Sequence, residues 1–201
     1  MKFSTYIILL LFILASCGEI KKTETSDNRN INHITTDKPI VGDFDREKYP
    51  ILQNAILLKL DGELKESIDE FNSAEKVYGE MIQIYLNRGD VFYQLGKQNK
   101  AESDFSNCLK IDSTYLPALL NRGLVYTHSD RIEKALSDFN KAIELKPTEP
   151  MSYLNRAVAY RKTSRIDLAC SDLKKAKSLG ISEKYNSDMT DKLIDELNCK
   201  K

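Results

Sequence analysis

Tryptophan is absent from the 201 residues, and histidine occurs only twice, proline five times and glycine eight times. Glycines this sparse form no Gly-rich run, so no loop is available to wrap a phosphate. The histidines, His33 and His128, have no metal-ligating neighbour at helical spacing, and the sequence offers neither a metal site nor a cofactor site. No sign of charge prevails either: 30 basic side chains meet 30 acidic ones. That balance lacks the dense basic face a nucleic-acid partner needs. Apolar runs stop short of the ~20 residues a membrane-spanning helix requires. No cysteine has a histidine that the sequence can pair with it as nucleophile and base, and the carboxylates are scattered. The chain therefore reads as one without catalysis of its own. What remains is rich in Ala, Leu, Lys, Glu and Asp through its second half, the composition of an all-α protein.

The first residues stand apart from the rest. Lys2 gives a positive start, Tyr6 to Leu14 is continuously apolar, and Leu14-Ala15-Ser16-Cys17 ends the run on small residues and a cysteine. A short apolar segment closed by small residues has the pattern of an export signal. Removing residues 1–16 takes away one lysine and no acid, leaving a net charge of about −1. Residues 18–45 are polar, with too little to bury to offset the entropy of ordering them, and are expected to act as a flexible tether.

The second half repeats itself. Asn87-Arg88-Gly89 returns as Asn121-Arg122-Gly123 and as Asn155-Arg156-Ala157. Ser103-Asp104-Phe105 returns as Ser137-Asp138-Phe139 and as Ser171-Asp172-Leu173, at the same offset of 34. In the copy 116–149, Leu119, Arg122, Gly123 and Tyr126 share one helix face; Ser129-Asp130 breaks the pattern; Ile132, Ala135, Leu136, Phe139, Ala142 and Ile143 form a second stripe. Each unit is thus two antiparallel helices joined by a tight turn. Gly123 and Ala135 are small where helices meet closely, and Phe139 fills the gap between units. One such pair cannot bury its apolar face, so neighbours must stack. The once-per-unit Arg88, Arg122, Arg156 and Asp104, Asp138, Asp172 are expected to pair within or between units.

On these residues the chain resembles the tetratricopeptide repeat family. Gly123, Tyr126, Ala135, Phe139, Ala142 and Pro147 stand at that family's marked positions; the other copies lack the proline. The resemblance implies a right-handed α-solenoid over 48–183, in units 82–115, 116–149 and 150–183. They follow a degenerate unit 48–81 with Ile56 at the small position. Residues 184–201 are expected to form a C-terminal capping helix, with Asp188 or Thr190 as its cap and Met189, Leu193, Ile194 and Leu197 as its apolar stripe. The N-terminus resembles the lipobox of bacterial lipoproteins, which implies removal of 1–16 and a Cys17 carrying lipid on sulfur and amino group. The alternative is an ordinary secretory signal followed by an unrelated cysteine.

The family resemblance also implies a concave groove lined by first helices. The positions that map there are Leu52, Leu57, Leu86, Asp90, Tyr93, Leu120, Leu124, Thr127, Leu154, Val158 and Arg161. So many apolar residues point to an apolar or amphipathic peptide or helix as ligand, unless some of the leucines are core between helices. The family's carboxylate clamp is not matched, because Leu86, Asp90 and Met151 hold its places and only Asn121 and Asn155 fit. Cys108 falls at a small core position. Cys170 and Cys199 either bridge, stapling the cap, or remain as two thiols. The resulting expectation is a lipid-anchored scaffold that binds a protein or peptide at a membrane of the bacterial envelope, on the periplasmic or surface side of the outer membrane. Its alternative is an accessory subunit of an envelope enzyme or of polysaccharide or peptidoglycan assembly. Neither partner identity nor oligomeric state is fixed by the sequence.

Overall fold

Proline opens three of the helices. Pro50, Pro117 and Pro150 lie in first turns, where a missing N–H costs nothing and a fixed φ favours the helix. The computed structural model describes residues 47–185 and 188–199. The leader 1–16, Cys17, the tether 18–45 with His33, and Lys200-Lys201 lie outside the described residues. Helix α1, Pro50–Leu60, pairs with α2, Leu64–Tyr78. Helix α3, Ile82–Gln94, pairs with α4, Gln98–Ile111; α5, Leu116–His128, with α6, Ile132–Leu145; and α7, Pro150–Lys162, with α8, Ile166–Ser178. The short α9, Ile181–Tyr185, and α10, Met189–Glu196, follow. Among the described residues there is no strand, and the chain is an all-α solenoid of stacked pairs.

The turn inside each pair uses one left-handed residue. Gly62, Gly96, Asp130 and Ser164 have φ of 82°, 70°, 55° and 58°, each 34 positions after the last. Glycine takes this conformation freely, and a short polar residue accepts it at modest cost.

Packing explains why the repeat needs small and large residues at fixed places. Phe71, Phe105, Phe139 and Leu173 are fully buried. A Cβ placed on Gly123 would come within 2.4 Å of Phe139 Cε1, and one on Gly89 within 2.8 Å of Phe105 Cε1. Each ring therefore lies directly on the backbone of its partner helix. Clusters cross the unit boundaries: Leu52, Ala55, Phe71 and Ala74 pack with Ile84 and Val91, and Leu86, Phe105 and Cys108 pack with Ala118 and Val125.

The first unit needs a correction of one residue. Ala55, not Ile56, stands 34 positions before Gly89, and it is buried with Phe71 in one cluster. The close approach demands a small side chain, and Ala55 supplies it. At the other end, the helix with Met189 and Leu193 in its stripe is α10, and the short α9 precedes it. Asp188 stands at the N-cap of α10 but makes no side-chain cap; its carboxylate pairs with Lys192 at 2.8 Å. Thr190 and Leu193 are buried.

Candidate functional site

The second, third and fourth units are each fastened by the same fork. Arg88 Nε and Nη2 donate to the two carboxylate oxygens of Asp104 at 2.9 and 2.8 Å. Arg122 meets Asp138 at 2.8 and 2.7 Å, and Arg156 meets Asp172 at 2.7 and 2.8 Å. Both partners always come from one unit, arginine on the first helix and aspartate on the second, sixteen residues apart. A second link reaches the preceding unit: Arg88 to Asn72, Arg122 to Ser106, Arg156 to Asn140. The recurring charges thus set helix spacing and unit stacking. Burial pushes the Asp104 carboxyl above its ordinary value, although Arg88 opposes it. An open cleft of about 420 Å³ between the second and third units contains Arg122, Asp138 and Lys141, and its central charges are already paired.

The ends of the first helices touch in series, which sequence reasoning did not anticipate. Tyr93 Oη lies 2.7 Å from His128 Nδ1. Lys162 Nζ donates to the Thr127 carbonyl at 2.9 Å, and Arg161 Nη1 donates to Glu196 at 2.8 Å. In each case the partners are 35 residues apart. Upstream, Lys59 pairs with Asp90 and donates to Asn87 at 3.2 Å. The signal that could have revealed this row is a polar pair at repeat length plus one. His128 is the last residue of α5 and a member of the row.

The expected groove residues sit differently from one another. Leu52, Leu86, Leu120, Leu124, Leu154, Val158, Asp90, Tyr93 and Thr127 are all buried. Leu52, Leu86 and Tyr93 belong to the clusters that join helices, so for them the reading as core holds. An open apolar strip is therefore not what these side chains present. Arg161 is partly exposed and engaged with Glu196. Leu57 is displaced from the groove altogether. Its equivalents at 34-residue steps, Val91, Val125 and Ala159, are 0 % exposed between units, whereas Leu57 is 47 % exposed. It belongs to the stacking face of the first unit, and the same one-residue slip that chose Ile56 had moved it.

Glu149 was also missed. Its buried carboxylate accepts Lys184 Nζ at 2.8 Å and Tyr185 Oη at 2.6 Å, tying α9 to the start of α7. Burial works to raise this carboxyl, but the hydrogen bonds from Lys184 and Tyr185 outweigh it and hold the group below its usual value.

Cys170 and Cys199 are joined by a disulfide, with Cα atoms 5.4 Å apart. Cys108 is free and fully buried, and burial pushes its thiol up to about 12. A thiol so protonated is a poor nucleophile. Native protein treated with iodoacetamide at pH 8 is expected to stay unmodified at Cys108, and urea to expose it; peptide mass spectrometry reads both. Rapid native alkylation there would contradict the burial. Among the described residues no group of three or more His, Cys, Asp or Glu is placed to hold a metal, and no helix is long and apolar enough to cross a membrane.

With this geometry established, two profiles of the tetratricopeptide repeat family match the chain, over residues 82–115 and 117–149. The chain is a tetratricopeptide repeat protein. A solved tetratricopeptide repeat protein from Parabacteroides merdae ATCC 43184 is 22% identical, with a TM-score of 0.65, covering 76% of this chain and 61% of that one. A thermophilic relative from Thermus thermophilus is 19% identical at a TM-score of 0.62, covering 74% and 79%. MamA from Desulfovibrio magneticus RS-1 is 16% identical at 0.64, covering 76% and 86%. These likenesses show the fold. No curated protein sequence matches the chain. Tetratricopeptide repeats are interaction modules, and this array is built as a scaffold for protein–protein contact.

Proposed function

We propose that this tetratricopeptide repeat protein is a lipid-anchored scaffold of the bacterial envelope that takes a protein or peptide partner along its row of first helices. The observation that carries the reading is the serial contact of those helices, Tyr93 with His128, Thr127 with Lys162 and Arg161 with Glu196. It aligns α3, α5 and α7 in one register and makes their sides a single continuous face, which a stacked array offers to an extended or helical ligand. The ligand meets a polar border of partly exposed His128 and Arg161 and exposed Lys162 before any buried leucine. The anchor rests on the Leu14-Ala15-Ser16-Cys17 sequence, and the Cys170–Cys199 bond is consistent with an oxidising compartment.

Site-directed photocrosslinking in intact cells tests it. A photoreactive residue replacing His128 or Lys162 is expected to give a discrete adduct with a partner, and one replacing Lys175, on the outer side of α8, is expected to give none. In the same cells Cys17→Ser is expected to abolish lipid labelling and the mass shift of the mature N-terminus. Adducts of equal yield at all three positions, or labelling that survives Cys17→Ser, would refute the corresponding half of the reading.

A further inference from the structure

The array does not stop at a unit boundary. Gly79 and Gly180 are left-handed at the ends of second helices, but the series Gly62, Gly96, Asp130 and Ser164 is continued at the same 34-residue step by Asn198, with φ of 49°. Residues 188–199 therefore occupy the register of a first helix and the turn that follows it. Contacts agree with that register. Arg161 reaches Glu196 across the same 35 residues that separate Tyr93 from His128. Leu193, 34 positions after the buried Ala159, is buried in turn.

Among the described residues no second helix follows α10. The place held by Gly89, Gly123 and Ala157 is taken by Asp191, whose carboxylate pairs with Lys177. In the second and third units that place must be bare so that an aromatic ring can lie on it. A paired aspartate closes the approach, and α10 forgoes the ring packing that secures α3 and α5.

What secures it instead stands at an informative position. Two units earlier, the residues equivalent to Cys170 and Cys199 are Glu102 and Arg131, and these form an ion pair at 2.7 Å. Both links span 29 residues and join consecutive units. The covalent version appears at the step where Asp191 holds the small-residue place.

We propose that α10 lies in the register of a further first helix and that its attachment to the array is set by the redox state of Cys170 and Cys199. The two cysteines are partly exposed, so a dithiol can reach the bond. Exchange with a dithiol breaks the Sγ–Sγ bond. The two electrons and two protons come from the reductant, which becomes a disulfide, and each cysteine is left as a thiol. Other attachments of α10 include the buried Leu193 and Thr190 and the ion pairs Arg161–Glu196 and Lys177–Asp191. Ion pairs open to water hold little, and eight residues are too few for a helix to persist alone. Reduction thus frees α10 and opens the C-terminal end of the row of first helices, while the complete units stay closed.

Amide hydrogen exchange on the full chain reads this directly. Adding a dithiol to the oxidised protein is expected to speed exchange over 189–197 by at least about tenfold and to leave α3 to α6 unchanged. Cys199→Ser is expected to show the fast pattern without reductant and no further response to it. Unchanged exchange over 189–197 on reduction overturns the proposal, as does equal acceleration throughout α3 to α6. Two alkylatable thiols at 170 and 199 in unreduced protein overturn it as well.

Discussion

Asp104→Ala is expected to lower folding stability by about 3–5 kcal/mol, the cost of leaving a buried charge without its partner. The Arg88 and Asp104 side chains are 9% and 5% exposed, and their fork is the most enclosed of the three. Arg88 cannot shed its proton to relieve the loss. Glu75 and Asn72 remain within reach of it, but both lie on the side away from the vacated carboxylate and already bond Nη1. The forks at Arg122 and Arg156 are wetter, with arginine side chains 22% and 19% exposed, so Asp138→Ala and Asp172→Ala should cost less. Replacing both partners by apolar residues, Arg88→Met with Asp104→Leu, removes the stranded charge and should recover much of the loss. Urea midpoints of the four variants give the ranking. Asp104→Ala falling within ~0.5 kcal/mol of wild type would mean the fork contributes no more than a surface pair.

Phe139→Ala is expected to have a comparable effect, about 3–5 kcal/mol, because the ring is fully buried and its removal leaves a cavity between two helices fixed by their neighbours. The position is coupled to Gly123. Gly123→Ala alone should destabilise, although alanine favours helix by about 1 kcal/mol, because its Cβ would meet Phe139 Cε1 at 2.4 Å. Combined with Phe139→Leu the same change should be tolerated. The fourth unit already makes that exchange, with Ala157 opposite Leu173, both buried. A double-mutant cycle by thermal or urea unfolding measures the coupling, and strict additivity would show that the ring and the glycine do not meet as described.

Much of the architecture was legible because a repeat states its own register. The 34-residue recurrence of Asn-Arg-Gly and Ser-Asp-Phe located the helix pairs, and the recurring arginine and aspartate anticipated forks that the structure contains. The first unit misled because it keeps few of those marks: with Gln53 and Asn54 adjacent, a one-residue slip looked natural and placed Ile56 and Leu57 wrongly. The left-handed turns at Asp130 and Ser164 carry no glycine to announce them. The candidate groove was read least well. A helix pattern gives the direction of a side chain about its own axis, but Leu120, Leu124 and Val158 are covered by what the rest of the chain brings against them, which no local period encodes. The row from Tyr93 to Glu196 is a property of neighbouring units, invisible within any one of them.

The two ends of the array also differ in kind. Leu57 and Leu60 stand exposed on the first unit at 47% and 62%, while the last is sewn down through Cys199. Because each unit leans only on its neighbours, opening propagates along the line like a zipper. The stitched end cannot start it, so under heat or pull the array should part from α1 onward. The end nearest the N-terminal segment is then the first to yield, and the C-terminal end keeps its shape longest.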